Sequence, residues 1–291
     1  MRLLECNNDG DFSLTKDFVG GKIPEYAIIS HTWGAGTEEV TYRDLIEGTG
    51  KNKVGYEKIR FCGEQARHDG FQYVWVDTCC IDKSNNNELA EAINSMFRWY
   101  RDAAKCFVYL RDVSSPIVDI GDKSDQLPWE SAFRTSRWFT RGWTLQELIA
   151  PTSVEFFSKS REFLGDKKSL ERHICEITRI PSKALRGGPL AEFSATERMS
   201  WAETRQTTRE EDMAYSLLGI FDVHMPLIYG EGKENALRRL YREWKYQLDE
   251  LSTVSQAASN GDERSTTFPF QSSAATSHRI LLSPEASTHD G

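Results

Sequence analysis

Three apolar runs of strand length, YAIIS (26–30), YVWV (73–76) and CFVYL (106–110), constrain this chain more than anything else in it. They are too apolar for a sheet with one wet face, so each calls for a strand covered on both sides. Ile23 to Ser30 reads as the first strand. From about Val54 to His68, Ile59, Cys62 and Ala66 recur at helical spacing, and Gly70 follows where a left-handed C′ residue belongs. Tyr73 to Val76 is the second strand. After the loop DKSNNN, whose asparagines can N-cap, the segment Glu88 to Arg101 places Leu89, Ile93, Met96, Phe97 and Tyr100 on one helix face. Cys106 to Leu110 is the third strand. Strand and helix alternating at this spacing predict βαβ units and a parallel sheet.

Ser114 to Pro128 is polar and reads as an inserted loop. SRWFTRGWTLQELIAP (136–151) then predicts a helix stopped by Pro151, and Val154 to Phe157 a fourth strand. Only helices are expected beyond it. Leu170, Ile174 and Ile177 mark one, the boxes Ser194-x-x-Glu197 and Thr208-x-x-Glu211 open two more, and Leu237, Leu240, Tyr241, Trp244 and Leu248 mark the last. An α/β part over about 23–158 and a helical part over about 159–250 make up the expected domain, 1–250. Residues 251–291, rich in Ser, Thr and Ala, read as a disordered tail or linker.

A net charge of -8 speaks against a nucleic-acid binder, which needs clustered Lys and Arg. The start MRLLECNNDGDF has no signal-peptide run, and no stretch has membrane-spanning length, so a cytoplasmic protein is expected. The six cysteines show no C-x-x-C spacing, and no metal site is expected.

In open α/β sheets ligands bind outside the carboxyl ends of the strands. Those loops carry Ser30, His31, Trp33 and Gly34 after the first strand, Asp77 to Asp82 after the second, and Arg111 and Asp112 after the third. His31 either bonds a neighbouring carboxylate or touches substrate; Trp33 either packs or stacks on a base; Asp77 either organises its loop or takes part in chemistry. Within 136–151, Glu147 is a carboxylate among tryptophans and arginines, where a buried charge is paired or functional. Arg205 and Asp212 suggest an ion pair holding the two parts together. Neither a G-x-G-x-x-G fingerprint nor a P-loop is present.

The strings YAIISHTWG (26–34), YVWVDTCCIDK (73–83), SRWFTRGWTLQELIAP (136–151) and REEDMAYSLLGIFDVHMPLIYGEG (209–232), in this order, closely resemble the fungal heterokaryon incompatibility (HET) domain. The likeness is greatest to HET domains that precede nucleotide-binding, WD-repeat receptors. It implies a cytoplasmic effector of programmed cell death that self-associates on activation and answers to such a sensor or to another incompatibility protein. A more distant resemblance, to TIR domains, implies a flavodoxin-like parallel sheet. It also aligns W-T-L-Q-E-L (143–148) with the TIR pattern WCxxEL, whose Glu cleaves NAD; Thr144 stands where that pattern has cysteine.

One carboxylate suffices for that chemistry, because the pyridinium leaving group is already cationic and needs no proton. The TIR resemblance therefore implies Glu147 as the catalytic residue. The crevice rule adds Ser30, His31, Trp33, Gly34, Asp77, Asp82, Arg141 and Trp143 as expected substrate contacts, with NAD as the substrate the resemblance implies and no cofactor. The alternative is a non-enzymatic module that signals by self-assembly.

Overall fold

The computed structural model describes residues 1–7, 11–18, 22–114 and 129–259. Seven strands form one sheet: β1 Leu4–Cys6, β2 Phe12–Leu14, β3 Tyr26–His31, β4 Tyr73–Trp75, β5 Lys105–Tyr109, β6 Val154–Phe157 and β7 Phe163–Asp166. Their order is β2-β1-β4-β3-β5-β6-β7. β4, β3, β5 and β6 pair in parallel, whereas β1 runs antiparallel to β4, β2 to β1 and β7 to β6. The parallel sheet expected from the sequence is thus the centre of a mixed one. In chain order the parallel strands lie second, first, third, fourth, so the winding reverses between β3 and β5, where a crevice opens in such sheets.

Both faces of the centre are covered. All six residues of β3 are buried, and neighbours on β6 face opposite ways. Phe156 packs on Phe133 and Trp138, while Phe157 packs on Phe61. Phe61 belongs to α2 (Tyr56–His68), which follows the short α1 (Tyr42–Glu47). Gly70 takes the expected left-handed conformation, at φ +85°. α3 (Asn86–Asp102) begins at Asn85, whose side chain accepts from the N–H groups of Asn87 and Glu88. The six cysteines are free thiols.

Departures from the sequence reading have local causes. The hairpin β1–β2 has strands of three residues, too short for a periodic signal. β7 corrects the expectation of helices alone after β6. Its turn runs through Arg161 at φ +68°, a non-glycine residue in a glycine conformation that leaves no mark in the sequence. The single helix expected over 136–151 is two pieces, a 3₁₀ turn Arg137–Thr140 and a helix Thr144–Ile149, with extended backbone at Arg141 between them. Backbone bonds to the helical part hold that break: Gly142 N–H donates to Gln206 at 2.9 Å and Gln206 N–H to Thr140 at 2.7 Å. All but Ser114 of the inserted loop lies outside the described residues.

The helical part contains Glu171–Thr178, Ala195–Ser200, Asp212–Tyr215, Leu218–Phe221 and Lys233–Ser259, besides shorter turns. The Ser194–Glu197 capping box forms. The Thr208–Glu211 box does not: the Glu211 carboxylate accepts from the N–H groups of Gly230 and Gly232 instead. The chain divides into two units, Met1–Leu248 and Asp249–Gly291. The second is helical backbone as far as Ser259, past the expected start of a tail near 251, and the rest of that tail lies outside the described residues. Among the described residues no helix is long and apolar enough to cross a membrane.

The helical part meets α3 at one very close approach. A Cβ built on Gly219 would stand 2.0 Å from Cβ of Phe97. Gly219→Ala is therefore expected to cost about 1–3 kcal/mol through overpacking, read as a lowered urea midpoint. Gly36→Ala, which meets nothing within 4 Å, should leave it unchanged.

Candidate functional site

A cavity of about 290 Å³ opens at the carboxyl ends of the central strands, between them and the helical part. The strand ends and their loops give it His31, Trp33, Asp77 and Lys83, and α3 gives it an apolar wall of Leu89, Ile93 and Met96. The 136–151 stretch adds Arg141, Trp143, Thr144 and Glu147. The helical part closes it with Thr208, Arg209, Asp212 and Tyr229.

Glu147 sits on the helix Thr144–Ile149 and is only 7% exposed. Local bonds fix this helix. Ser136 Oγ accepts from Trp138 N–H at 3.3 Å and donates to Asp112 at 2.8 Å, while Thr144 Oγ1 donates to the Trp138 carbonyl at 2.6 Å. The Lys167 ammonium closes the far end on the carbonyls of Leu148 (3.3 Å) and Pro151 (2.5 Å). Burial pulls that ammonium down to about 8.

A relay then ties Glu147 to β3. Trp138 Nε1–H donates to Ser30 Oγ at 2.8 Å, and the Ser30 hydroxyl donates to Glu147 Oε2 at 2.5 Å. Tyr100, whose hydroxyl donates to the Ile29 carbonyl at 2.9 Å, lies against the same carboxyl. Among the described residues Glu147 has no ion pair within 4 Å. Burial therefore dominates and raises the carboxyl to about 8; the Asp77 charge adds to the rise, and the Ser30 and Tyr100 bonds and Arg205 oppose it.

His31 ends β3, 6% exposed, with Nε2 at 3.8 Å from Asp77 Oδ1 and no hydrogen-bond partner for that nitrogen among the described residues. Burial, reinforced by the charges of Lys58 and Lys83, holds its pKa well below the usual imidazole range, so the ring is neutral. Trp33, 45% exposed, stands at the mouth. Its Nε1–H donates to Asp77 Oδ2 at 2.8 Å, and the Lys83 ammonium lies 3.7 Å from its ring centroid. Behind this loop a buried pair, Lys58 to Glu39 at 2.5 Å, anchors the backbone, Glu39 also accepting from Gly34 N–H at 2.6 Å.

The geometry thus gathers Glu147, His31, Trp33, Asp77, Arg141 and Trp143 on one cavity, with Ser30 bonded to Glu147 just behind its wall. Gly34 and Asp82 are not on it. Gly34 is bound to Glu39, and Asp82 accepts from Ser84 N–H at 3.0 Å as a turn former. The suggested Arg205–Asp212 pair is not made. Arg205 donates to the Arg141 carbonyl and to Thr144 Oγ1, both at 2.9 Å, and Asp212 accepts from Trp143 Nε1–H at 3.3 Å and from the Tyr229 hydroxyl at 3.1 Å. Each joins the helical part to the Glu147 stretch separately. Sequence reasoning left out Lys83, Thr208, Arg209 and Tyr229. The polar string TTREED (207–212) was the available signal, read as a helix cap.

Residues 26–124 match the family described as Heterokaryon incompatibility protein (HET), and the chain is a HET domain protein. It is 64% identical over 241 residues to the Vegetative incompatibility protein HET-E-1 of Podospora anserina. That match covers 82% of this chain and 18% of the relative, so the chain spans less than a fifth of the length of that curated protein. No solved structure matches the chain.

The buried carboxyl makes stability depend on pH. Unfolded, Glu147 ionises near 4.5; folded, it keeps its proton to about 8. Between these values the unfolded chain binds fewer protons, so this residue makes stability fall as pH rises, by up to ~1.4 kcal/mol per unit. Glu147→Gln should gain on wild type in urea midpoint steadily from pH 5 to pH 8. Parallel curves for the two proteins would contradict the burial of an unpaired carboxyl.

Proposed function

We propose that this HET domain is a cell-death effector that cleaves NAD at its nicotinamide–ribose bond, with Glu147 as the catalytic carboxylate. The observation that carries the reading is Glu147 itself, buried without an ion pair at the end of the central parallel strands and facing a cavity lined by aromatic rings. The name of the relative supports a role in vegetative incompatibility. The second-first-third-fourth order of the parallel strands supports the TIR-like reading.

The C1′–N bond breaks heterolytically, and its electron pair leaves with the pyridinium ring as neutral nicotinamide. Ionised Glu147 opposes the positive charge growing on the ribose. Water then adds to C1′ and loses a proton, giving ADP-ribose. Trp143 and Trp33 are placed to hold planar rings, and neutral His31 to hydrogen-bond a ribose hydroxyl or the carboxamide. Because Glu147 rests protonated, the cationic ring is itself the charge that draws it into the ionised form, its proton passing to solvent as NAD binds. Self-association on activation and control by a nucleotide-binding, WD-repeat sensor or another incompatibility protein complete the proposal. The setting proposed is the cytoplasm.

Nicotinamide release from NAD by concentrated protein tests the reading. Glu147→Gln is expected to lose about two to three orders of magnitude, from ~3–4 kcal/mol of electrostatic stabilisation. The wild-type kcat/KM should rise about tenfold per pH unit below about 8, since it reports the free protein's carboxyl. Absence of release from wild type at every concentration, together with cell death that survives Glu147→Gln, would replace this reading with the assembly module.

A further inference from the structure

The helical part does more than close the cavity. Three cations line it, Lys83, Arg141 and Arg209, and Lys83 is engaged by Asp77 at 3.7 Å. Among the described residues Arg141 and Arg209 have no ion pair within 4 Å. Arg141 Nη2 reaches the Thr208 hydroxyl at 3.4 Å, and the Arg209 guanidinium is propped 4.1 Å from the ring centroid of Tyr229. That ring is fixed in turn, since the Tyr229 hydroxyl donates to Asp212, which also takes the Trp143 indole N–H. Two guanidinium groups, one from each part of the fold and next to each other in the wall through Thr208, thus line the cavity, Arg209 with the charges of Glu211 and Asp212 nearby but in no ion pair within 4 Å among the described residues. The buried ring of His31 lies on the same cavity, and its Nε2 has no hydrogen-bond partner among the described residues.

We infer that Arg141 and Arg209 form a clamp for the diphosphate of a dinucleotide, and that the helical part through Arg209, Asp212 and Tyr229 makes the site select diphosphate-bearing ligands over nucleosides. Guanidinium groups suit this task because their planar forks match phosphate oxygens two bonds at a time. Asp212 serves as a positioning residue, holding the Tyr229 ring beneath Arg209 and the Trp143 ring beside Glu147. The inference rests on the NAD-cleaving reading for the identity of the ligand, but a phosphate clamp can be measured without cleavage.

Calorimetric titration of the whole chain with ADP-ribose, ADP and adenosine separates the two. ADP-ribose and ADP are expected to bind at least tenfold more tightly than adenosine, and Arg209→Gln to remove most of that difference while leaving adenosine binding unchanged. Arg209→Lys, which keeps the charge and loses the fork, should restore it only in part. Arg209 is exposed, so its variants should unfold at the wild-type urea midpoint. Equal affinity for adenosine and ADP, or an ADP-ribose affinity unmoved by Arg209→Gln, overturns the clamp even if NAD is cleaved. ADP-ribose binding that depends on Arg209, in a protein that releases no nicotinamide, keeps the clamp and removes the cleavage reading.

Discussion

The burial of one carboxyl against the central strand organises everything around it. Glu147 has traded water for a serine hydroxyl and a tyrosine ring, and neither supplies charge. A carboxyl in that position stays neutral near pH 7, so its surroundings need no buried cation in contact with it. They need instead a rigid frame, because a hydrogen bond from Ser30 is useful only if Ser30 and the helix Thr144–Ile149 hold their distance. Trp138 supplies this from one side by donating to Ser30, and the Lys167 ammonium from the other by closing the helix end. The aromatic cluster of Phe133, Trp138, Phe139 and Phe156, edge to face at centroid distances of 5.0 to 5.6 Å, keeps water from this frame.

The same constraint explains why the two parts of the chain are inseparable at the site. A six-residue helix has almost no stability of its own. The segment before it is held open by a backbone bridge to Gln206, and Nη1 of Arg205 ties the Arg141 carbonyl to Thr144. Gly142 is needed there because a Cβ would stand 2.4 Å from Thr207. The helical part is therefore a structural condition of the Glu147 helix as well as a wall of the cavity.

Much of this was legible in the sequence, and what was not has physical reasons. YAIIS, YVWV and CFVYL fit only doubly covered strands, and the crevice rule then points His31, Trp33, Asp77 and Glu147 toward one cavity. The edge strands escaped because three or four residues carry no period, and β7 also because Arg161 turns the chain where glycine would have announced it. Thr208 and Arg209 escaped because TTREED fits a helix start equally well. Only the tertiary demand of the Gly230 and Gly232 N–H groups for Glu211 decides otherwise. The helix break at Arg141 is likewise written in Gln206, some sixty positions away.

The electrostatic balance of the cavity follows from where its charges can reach water. Asp77 and Asp212 are spoken for by indole, phenol and ammonium donors, and the exposed Arg209 and half-buried Arg141 reach water, leaving the buried Glu147 carboxyl uncharged. A neutral carboxyl at this depth avoids the large cost of a bare buried anion. A ligand that brings a cationic ring to Glu147 and an anionic linker to the two arginines satisfies both ends at once. The buried carboxyl then ionises only when the positive charge that stabilises it has arrived. Under the proposed function, the resting neutrality of Glu147 and the two guanidinium groups, which form no ion pair among the described residues, are two halves of one recognition device.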